Sequence, residues 1–448
     1  MTRAVVLVDG EHYPPVLLDA IATLETRGYQ VAAAVFLGGG EKLDGPLELG
    51  ATPIVEGATQ REALEHAIAS YSPEVVLDLS DDPVVDANAR SLLASVALAR
   101  GVPYHGADFR FEPPRRPRVA ARPSIAVIGT GKRTGKTAVA GFAARTLAAR
   151  GDRVVIVAMG RGGPAEPRLV AGDEHPPTPA ELLELARQGE HAASDVYEDA
   201  VLAGVPAVGA RRAGAGLAGA PFFDSVAPAV EIANAASPDV ILLEGSGAAV
   251  PPVAADATIL VVGGATKPAD LRAPLAPYRL LLADLVVITM ASEPTVSTQA
   301  LAALSLSIEE LARGVAQVKT VFRPAPREPV AGRSVFYATT APIAAGGSIR
   351  QHLEETYGAR VVGISHHLAE RAALTSDLDQ AEGTYEVLVT ELKAAAVDVA
   401  TRKAMDAGAA VVYADNLPVA IEGNLESEIT TLADRARTRF EAHTTGTR

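Results

Sequence analysis

Short runs of apolar residues alternate with helix-like repeats along the first hundred residues. The apolar runs are continuous from Val5 to Val8 and from Val75 to Leu77, and helical patterns cover residues 16–28 and 61–71. Such continuous runs are typical of strands buried on both faces of a parallel sheet, and their alternation with helices indicates an α/β fold. We therefore predict a Rossmann-like α/β domain over residues 1–112.

Polar loops follow the predicted strands of this first domain. They read DGEH at 9–12, GGGEK at 38–42 and LSDDP at 79–83. Ligands of open α/β sheets bind at the carboxyl ends of strands, so Glu11 and His12 become candidate substrate-binding residues. An ordinary packed or hydrogen-bonded role for His12 stays open.

A second α/β series begins after a proline-rich stretch. Residues 113–123 contain four prolines and are predicted to link two domains. Strand, helix and strand then follow as SIAVIGT, TGKTAVAGFAARTLAARG and RVVIVAMG, and the helix carries Val139, Phe142, Ala143 and Leu147 on one face. Later strands are predicted at DVILLEG, ATILVVGG, LVVITMA, RSVFYATT and AVVYADN. We assign residues 124–448 to a second α/β domain with a mostly parallel sheet and a C-terminal α/β extension.

Composition narrows the range of partners. The chain has 54 acidic and 40 basic residues and a net charge of -14, which argues against a nucleic-acid or membrane-surface binder because both need a broad basic field. There is no cysteine, so disulfides, thiolate metal sites and cysteine nucleophiles are excluded. No signal peptide or long apolar segment is evident, and we expect a cytoplasmic protein with a small-molecule partner, with a homodimer left open.

The segment GTGKRTGKT at residues 129–137 nearly matches the phosphate-loop pattern G-x-x-x-x-G-K-[ST]. Between a buried strand and an amphipathic helix, its backbone N–H groups can converge on phosphate oxygens. Lys136 would reach the terminal phosphates, and Lys132 would add positive charge beside the transferred group, although a solvent-exposed Lys132 is also open. The predicted nucleotide-binding residues are Gly129, Thr130, Gly131, Arg133, Thr134, Gly135, Lys136 and Thr137.

Acidic residues near this loop are candidate magnesium ligands. The strand in PDVILLEGSGAAVPP delivers Glu244 to its carboxyl end, and Thr137 supplies the loop hydroxyl. Mg²⁺ favours few protein oxygens together with phosphates and waters, so we predict a site formed by Thr137, Glu244 and Glu166. The alternative for Glu244 is a cap for the next element.

Two arginine clusters precede or occupy glycine-rich segments. Arg161 and Arg168 lie in MGRGGPAEPRLV, and Arg211 and Arg212 lie in VGARRAGAGLAGAPF. Guanidinium groups bind phosphate bidentately, so these four arginines are predicted to bind an anionic substrate. Arg161 is also assigned, with Lys132 and Lys136, to the catalytic group.

The loop spacing and the E-G-S-G segment resemble dethiobiotin synthetase among the P-loop enzymes. Over nearly the whole chain, a larger set of segments resembles the cyclic 2,3-diphosphoglycerate synthetase family. These segments are VLVDGEHYPP, AVFLGGGEKL, GTGKRTGKT, VAMGRGGP, ELLELARQGEHAASDVYEDAVLAGV, GARRAGAGLAGAPF, LLEGSGAAVPPV and TELKAAAVDVATRKAMDAG. The resemblance implies a P-loop NTPase domain that uses ATP and Mg²⁺ to close 2,3-bisphosphoglycerate into a cyclic pyrophosphate, releasing ADP and phosphate.

Two other functions stay open. One is a dethiobiotin-synthetase-like ligase or kinase that acts on another small acid, and the other is a nucleotide-switched regulatory NTPase. The segment VVITMASEPT lacks the N-K-x-D pattern of GTPases, which favours ATP only weakly.

Overall fold

The computed structural model describes residues 1–43 and 45–445, which form an α/β protein with two sheets. The strands are β1 Thr2–Val8, β2 Tyr29–Phe36, β3 Ile54–Val55, β4 Val75–Asp78, β5 Tyr104–His105, β6 Arg110–Phe111, β7 Ser124–Gly129, β8 Val154–Gly160, β9 Arg168–Val170, β10 Ala207–Ala213, β11 Phe223–Asp224, β12 Val240–Glu244, β13 Ala257–Gly263, β14 Leu285–Thr289, β15 Ala316–Pro326, β16 Ser334–Ala338, β17 Arg360–Ser365, β18 Val387–Glu391 and β19 Ala410–Glu422.

Helices cover both sheets. The α-helices are α1 Pro14–Thr26, α2 Gln60–Tyr71, α3 Ala87–Ala99, α4 Lys136–Ala149, α5 Pro179–Arg187, α6 Asp195–Glu198, α7 Val226–Ala235, α8 Pro268–Leu271, α9 Pro277–Leu281, α10 Thr298–Leu311, α11 Gly346–Tyr357, α12 Arg371–Ala381, α13 Arg402–Asp406 and α14 Leu425–Thr445. Short 3₁₀ turns lie at Gly40–Lys42 and Ile343–Ala345, and π-helices at Asp199–Ala203 and Ala396–Thr401.

The N-terminal sheet has the order β3-β2-β1-β4-β5-β6, and all its pairs are parallel except β5 with β6. Apolar side chains of β1 are buried on both faces of this sheet, as the continuous apolar run predicted. The loops at 9–12, 38–42 and 79–83 follow β1, β2 and β4 and therefore lie at its carboxyl edge. The predicted Rossmann-like organisation of this part is confirmed.

The larger sheet has two parallel sections that run in opposite directions. The phosphate-loop section, residues 124–326, contains the parallel series β10-β8-β12-β7-β13-β14-β15. The C-terminal section, residues 334–422, contains β19-β18-β16-β17, also parallel to one another. β15 and β19 pair antiparallel and join the two sections into one sheet.

The register along β15 places the carboxyl edges of the two sections opposite each other. The carboxyl end of β14 lies beside Lys319, whereas Glu391 at the end of β18 lies beside Ala414, which pairs with Pro326. Pro326 lies seven residue steps after Lys319 along β15, a span of roughly 23 Å at about 3.3 Å per residue. The cleft between these facing edges is therefore bordered by the two strand ends that usually bind ligands.

The segment 113–123 has no regular secondary structure but is packed against the second domain. Val119 and Ala120 contact the apolar core beneath β7, and Arg118 pairs with the buried carboxylate of Asp256 at 3.0 Å. The N-terminal sheet is fixed separately, because Ser91 of α3 accepts a hydrogen bond from the backbone of Leu275 next to α9.

The strands predicted from apolar runs are all present, and Val139, Ala143 and Leu147 of α4 are fully buried. The pattern did not reveal the short strands β3, β5, β6, β9 and β11 or the longer strands β10, β15, β17 and β18. In β15, charged and proline residues interrupt the apolar positions, since half of this long strand lies beyond the edge of β14 and is only partly covered. Arg211 and Arg212, which precede a glycine-rich segment, both belong to β10.

Candidate nucleotide and phosphate site

The phosphate loop connects β7 to α4 in the conformation that its glycines predict. Gly135 has φ +86° and begins the helix, and Arg133 also has a positive φ of 58°. Lys136 folds back over the loop, and its Nζ donates a hydrogen bond of 2.7 Å to the carbonyl of Gly131. The Thr289 hydroxyl donates 2.7 Å to the Thr134 carbonyl, so β14 holds the loop from the other side.

The sequence prediction that Thr137 and Glu244 lie together agrees with the geometry. The Thr137 hydroxyl donates a 2.6 Å hydrogen bond to Oε1 of Glu244, which lies at the end of β12. β12 pairs directly with β7, which brings the two residues to neighbouring strand ends. Burial, followed by the charge of the nearby Asp195, raises the pKa of Glu244 to about 8, although the Thr137 hydrogen bond opposes the shift.

Three more carboxylates surround Glu244, and all come from the segment 195–199. Asp195 and Glu198 lie on α6, and Asp199 begins the π-helix that continues it. Burial raises the pKa of Asp199 well above its ordinary value, and Glu244 adds to the shift because the two carboxyls are close. π-Helical turns inside helices often occur at functional sites, and this one carries Asp199 at its first position.

Both oxygens of Asp199 and the Oε2 atom of Glu244 are buried without a hydrogen-bond partner within residues 1–43 and 45–445. Buried polar atoms of this kind normally have partners, so these three oxygens are suited to bind a cation. Glu244 with the Thr137 hydroxyl is also the donor set that Mg²⁺ prefers. The residues present therefore fit a magnesium ion beside the phosphate loop.

Two arginines converge on the glycine turn that follows β12. A Cβ atom on Gly247 would lie 2.5 Å from Nη2 of Arg161 and 3.2 Å from Nη2 of Arg212. Arg212 is buried and donates to the carbonyls of Gly214 at 2.8 Å and Ser246 at 2.5 Å. Burial lowers the pKa of Arg212, and the charge of Arg161 lowers it further. The two guanidinium groups form a positive patch next to the acidic cluster.

The structure does not bring the other arginine candidates into this patch. Arg211 turns to the carbonyl of Gly163, to which its Nη2 donates at 3.0 Å. Arg168 pairs with Glu190 and with the Tyr197 hydroxyl. Adjacent residues of a strand point to opposite faces, which explains why Arg211 and Arg212 separate.

Several residues of the predicted set lie at exposed positions: Lys132, Arg133, Arg161 and Glu166. Lys132 is exposed in the phosphate loop, and its catalytic role stays a prediction. Glu166 is exposed in the loop between β8 and β9, and no contact among the described residues joins it to Thr137 or Glu244. The geometry therefore favours Asp199 over Glu166 as the acidic neighbour of Glu244.

Glu11 and His12 lie at the carboxyl edge of the N-terminal sheet. Both are tied to Asp9, whose Oδ1 accepts from the Glu11 backbone at 2.9 Å and hydrogen-bonds with Nδ1 of His12 at 2.8 Å. Their predicted role in substrate binding stays a prediction.

Sequence reasoning missed Asp195, Glu198, Asp199 and Lys393 as site residues. Lys393 Nζ donates to both carboxylate oxygens of Glu198, at 2.7 and 2.8 Å, and comes from the facing C-terminal section. The available signal was an acidic stretch, SDVYEDA, inside an otherwise apolar helical pattern. Nothing local shows that this stretch faces β12.

None of the helices in the described ranges is both long and apolar enough to cross a membrane. Comparisons with known proteins cover nearly the whole chain. Family models match three consecutive parts, the N-terminal domain of cyclic 2,3-diphosphoglycerate synthetase at residues 3–112, its P-loop domain at 124–321 and its C-terminal domain at 326–417.

Curated relatives named cyclic 2,3-diphosphoglycerate synthetase align with this chain over nearly their full length. The cyclic 2,3-diphosphoglycerate synthetase of Methanothermus fervidus is 42% identical over 98% of this chain and 98% of its own. The proteins of that name from Thermococcus gammatolerans and Rubrobacter xylanophilus are 45% and 44% identical, covering 96% and 93% of this chain and 97% and 94% of their own. A solved DUF1611 family structure from Anabaena variabilis is 12% identical and covers 82% of this chain and 95% of its own with a TM-score of 0.19, too low to support an argument.

The phosphate loop is bonded to a carboxylate at the neighbouring strand end, and two arginines lie at the turn that follows. The family models match all three parts of the chain. The chain belongs to the cyclic 2,3-diphosphoglycerate synthetase family.

Proposed function

We propose that this protein is an ATP-dependent ligase that closes 2,3-bisphosphoglycerate into cyclic 2,3-diphosphoglycerate, releasing ADP and phosphate. The observation that carries the proposal is the 2.6 Å hydrogen bond from Thr137 to Glu244, which joins the phosphate loop to a carboxylate at the adjoining strand end. Arg161 and Arg212 lie beyond that carboxylate at the Gly247 turn, where a second anion can be held. The names of the curated relatives support the same reaction.

Nucleotide phosphates are assigned to the loop at 129–137. Its backbone N–H groups and the N-terminus of α4 favour an anion, and Lys136 can exchange its bond to the Gly131 carbonyl for phosphate oxygens. Burial lowers the pKa of Lys136, while Glu244 and Asp195 oppose that shift. Glu244, Thr137 and Asp199 would hold Mg²⁺, which when bound neutralises the charge on the phosphates.

The chemistry requires two phosphoryl transfers. In the first, an oxygen of one substrate phosphate attacks the γ-phosphorus of ATP, the bond from that phosphorus to the β,γ-bridging oxygen breaks, and ADP leaves. In the second, an oxygen of the neighbouring substrate phosphate attacks the ester-bound phosphorus of the new pyrophosphoryl group. The ring phosphoanhydride forms, and the terminal phosphate leaves with the bridging electron pair.

The protein supplies position and positive charge. Two phosphomonoesters on adjacent carbons repel each other, and holding them together makes the second step effectively unimolecular. We assign this task to Arg161 and Arg212, with Lys132 placed to meet the transferred phosphoryl group. Groups that stabilise charge developing in a transition state lower the barrier most when they are fixed beforehand, and the two carbonyl bonds of Arg212 fix its guanidinium.

The test is incubation of the purified chain with 2,3-bisphosphoglycerate, ATP and Mg²⁺, followed by ³¹P NMR. A cyclic pyrophosphate resonance that grows with ADP and inorganic phosphate supports the proposal. ATP consumption with another phosphorylated acid but not with 2,3-bisphosphoglycerate would instead support a different ligase or kinase of the dethiobiotin-synthetase type. Nucleotide binding without turnover of either acid would support a regulatory NTPase.

A further inference from the structure

Lys393 brings a positive charge from the C-terminal section to the acidic side of the site. It follows β18 by two residues, and its Nζ contacts both oxygens of Glu198 on α6. Glu198 is buried, whereas 40% of the Lys393 side chain is exposed. The pair therefore joins α6 to the segment that follows β18, and the lysine side chain is partly exposed.

Asp195 connects this pair to the phosphate loop. It lies one turn before Glu198 on the same face of α6, and burial raises its pKa, while Lys393, Lys136 and Arg161 each lower it. All three cations are thus close to one carboxylate. Lys393 belongs to the same cluster of charges as the loop lysine, although it is 257 positions away along the chain.

The phosphate-loop section offers few uncommitted cations to a substrate with two phosphates and a carboxylate. Arg211 is bonded to the Gly163 carbonyl and Arg168 to Glu190, which leaves Arg161, Arg212 and Lys132 for the substrate. Four carboxyl groups, Asp195, Glu198, Asp199 and Glu244, lie nearby, and each of them repels the substrate when it is ionised. A cation from the opposite edge of the cleft would offset that repulsion.

An ion pair with only a structural role would join the two sections at a high cost in desolvation free energy. Taking a carboxylate out of water costs several kcal/mol, and well-packed apolar residues often stabilise a protein better than a buried ion pair. The sections are already joined by the long β15–β19 pairing and by a continuous apolar core that includes Ala200 and Ala396 of the two π-helices. Lys393 is therefore not needed to hold them together.

We propose that Lys393 is a substrate-binding residue that exchanges Glu198 for phosphate oxygens of the bound acid. The inference rests on the function proposed above and adds a residue of the C-terminal section to its substrate site. Lys393 shares the neighbourhood of Asp195 with Lys136, which is assigned to the nucleotide phosphates, and with Arg161, which is assigned to the substrate. This neighbourhood is where the transferred phosphate and the acid meet. Glu198 holds the lysine in place while the substrate is absent.

The test compares Lys393→Met with the double variant Lys393→Met, Glu198→Gln. The single variant leaves a buried carboxylate without its cation and should unfold more easily, so its loss of activity alone does not separate the two roles. The double variant removes both charges and should recover thermal stability. If Lys393 binds substrate, the double variant still shows a kcat/KM for 2,3-bisphosphoglycerate roughly 100-fold below the unmodified protein, the size expected for one lost charged donor.

The affinity for ATP provides the control measurement. ATP affinity of the double variant, measured by calorimetry with MgATP alone, should stay within about twofold of the unmodified protein, since phosphate-loop contacts are intact. Recovery of full kcat/KM in the stable double variant would overturn the inference and assign the pair to structure only. A loss confined to ATP affinity would also overturn it.

Failure of this inference can be told apart from failure of the proposed function. If the unmodified chain forms no cyclic product, the proposed function is wrong and the lysine experiment has no starting activity. If the unmodified chain forms product and the double variant is equally active, only the role of Lys393 is wrong. Lys403→Met, which removes a half-buried lysine paired with Asp379 on the outer helices, is the matched control and should change neither constant.

Discussion

Asp9 in the N-terminal sheet and Glu244 in the phosphate-loop section are both buried carboxylates at the carboxyl end of a parallel strand. Asp9 has its hydrogen bonds satisfied by its own loops, since it accepts from the backbones of Glu11, His12 and Asp81. Glu244 has one partner, Thr137, and its second oxygen has none among the described residues. The first carboxylate holds a loop in shape, whereas the second has bonding capacity left for a ligand.

The glycines beside these carboxylates differ in the same way. A Cβ on Gly10 would lie 2.3 Å from the carbonyl oxygen of Gly39, so two loops of the N-terminal sheet close on each other. Nothing lies within 4 Å of a Cβ on Gly131, so the phosphate loop is open at that point. Similar residue types at similar strand ends therefore produce different edges. The edge at Asp9 is filled by its own loops and is called the packed edge, whereas the edge at Glu244 has room for a ligand and is called the receptive edge.

The largest expected effect comes from removing the loop lysine. Lys136→Ala should lower cyclase turnover roughly 1,000-fold, because a fixed cation at the transferred phosphoryl group is lost. Steady-state product formation checks this, with Lys403→Ala as a surface control and circular dichroism to verify folding. Turnover within a few-fold of the unmodified protein in a folded variant would remove Lys136 from the mechanism.

The second-largest effect should come from a substitution that strains the backbone of the phosphate loop. Gly135→Ala forces a side chain onto φ +86° and places its Cβ 2.3 Å from the ring of Phe322 on β15. We expect a cost of about 1–3 kcal/mol in the free energy of unfolding, together with a loss of MgATP binding detectable by calorimetry. Gly151→Ala, which has a similar φ of 98° but open space around it, is the matched control and should retain MgATP affinity.

The packed edge should respond in stability but not in nucleotide affinity. Asp9→Ala leaves several backbone N–H groups without their acceptor and should lower the free energy of unfolding by about 2–3 kcal/mol. Denaturant titration measures that loss, and MgATP affinity should stay within twofold. A strong loss of nucleotide affinity would show that the two edges act as one site.

The smallest expected effect is on how the stability of the metal-free protein depends on pH. The pKa of Glu244 is raised from its ordinary value to about 8, so the folded state favours the protonated form. The stability that this shift contributes is complete below pH 4.5 and is lost as the pH rises through about 8. Glu244→Gln cannot ionise, so its melting temperature should fall less between pH 6 and pH 9 than that of the unmodified protein. Equal falls in both proteins would contradict the raised pKa.

Much of the site follows from short-range patterns in the chain. The spacing of Gly135, Lys136 and Thr137 between an apolar run and an amphipathic repeat dictates a strand, a tight turn and a helix, since few other conformations satisfy both patterns. Glu244 ends an apolar run, which places it at a strand end. These are local features, and local sequence determines them.

Contacts between segments that are distant in the sequence could not be predicted from short-range patterns. Arg161 meets Arg212 only because β8 and β10 are neighbours, and Lys393 meets Glu198 only because β19 reverses direction along β15. Arg168 and Arg211 carry the same chemistry as Arg161, yet their bonds to Glu190 and Gly163 commit them elsewhere.

The sequence by itself determined the α/β alternation, the phosphate loop and the carboxylate that accompanies it, because hydrophobic period and glycine placement act over a few residues. Only the tertiary structure decided which charges share the cleft. Strand order and the register of β15 against β19 set those distances, and both depend on how whole sheets pack rather than on any short stretch of residues.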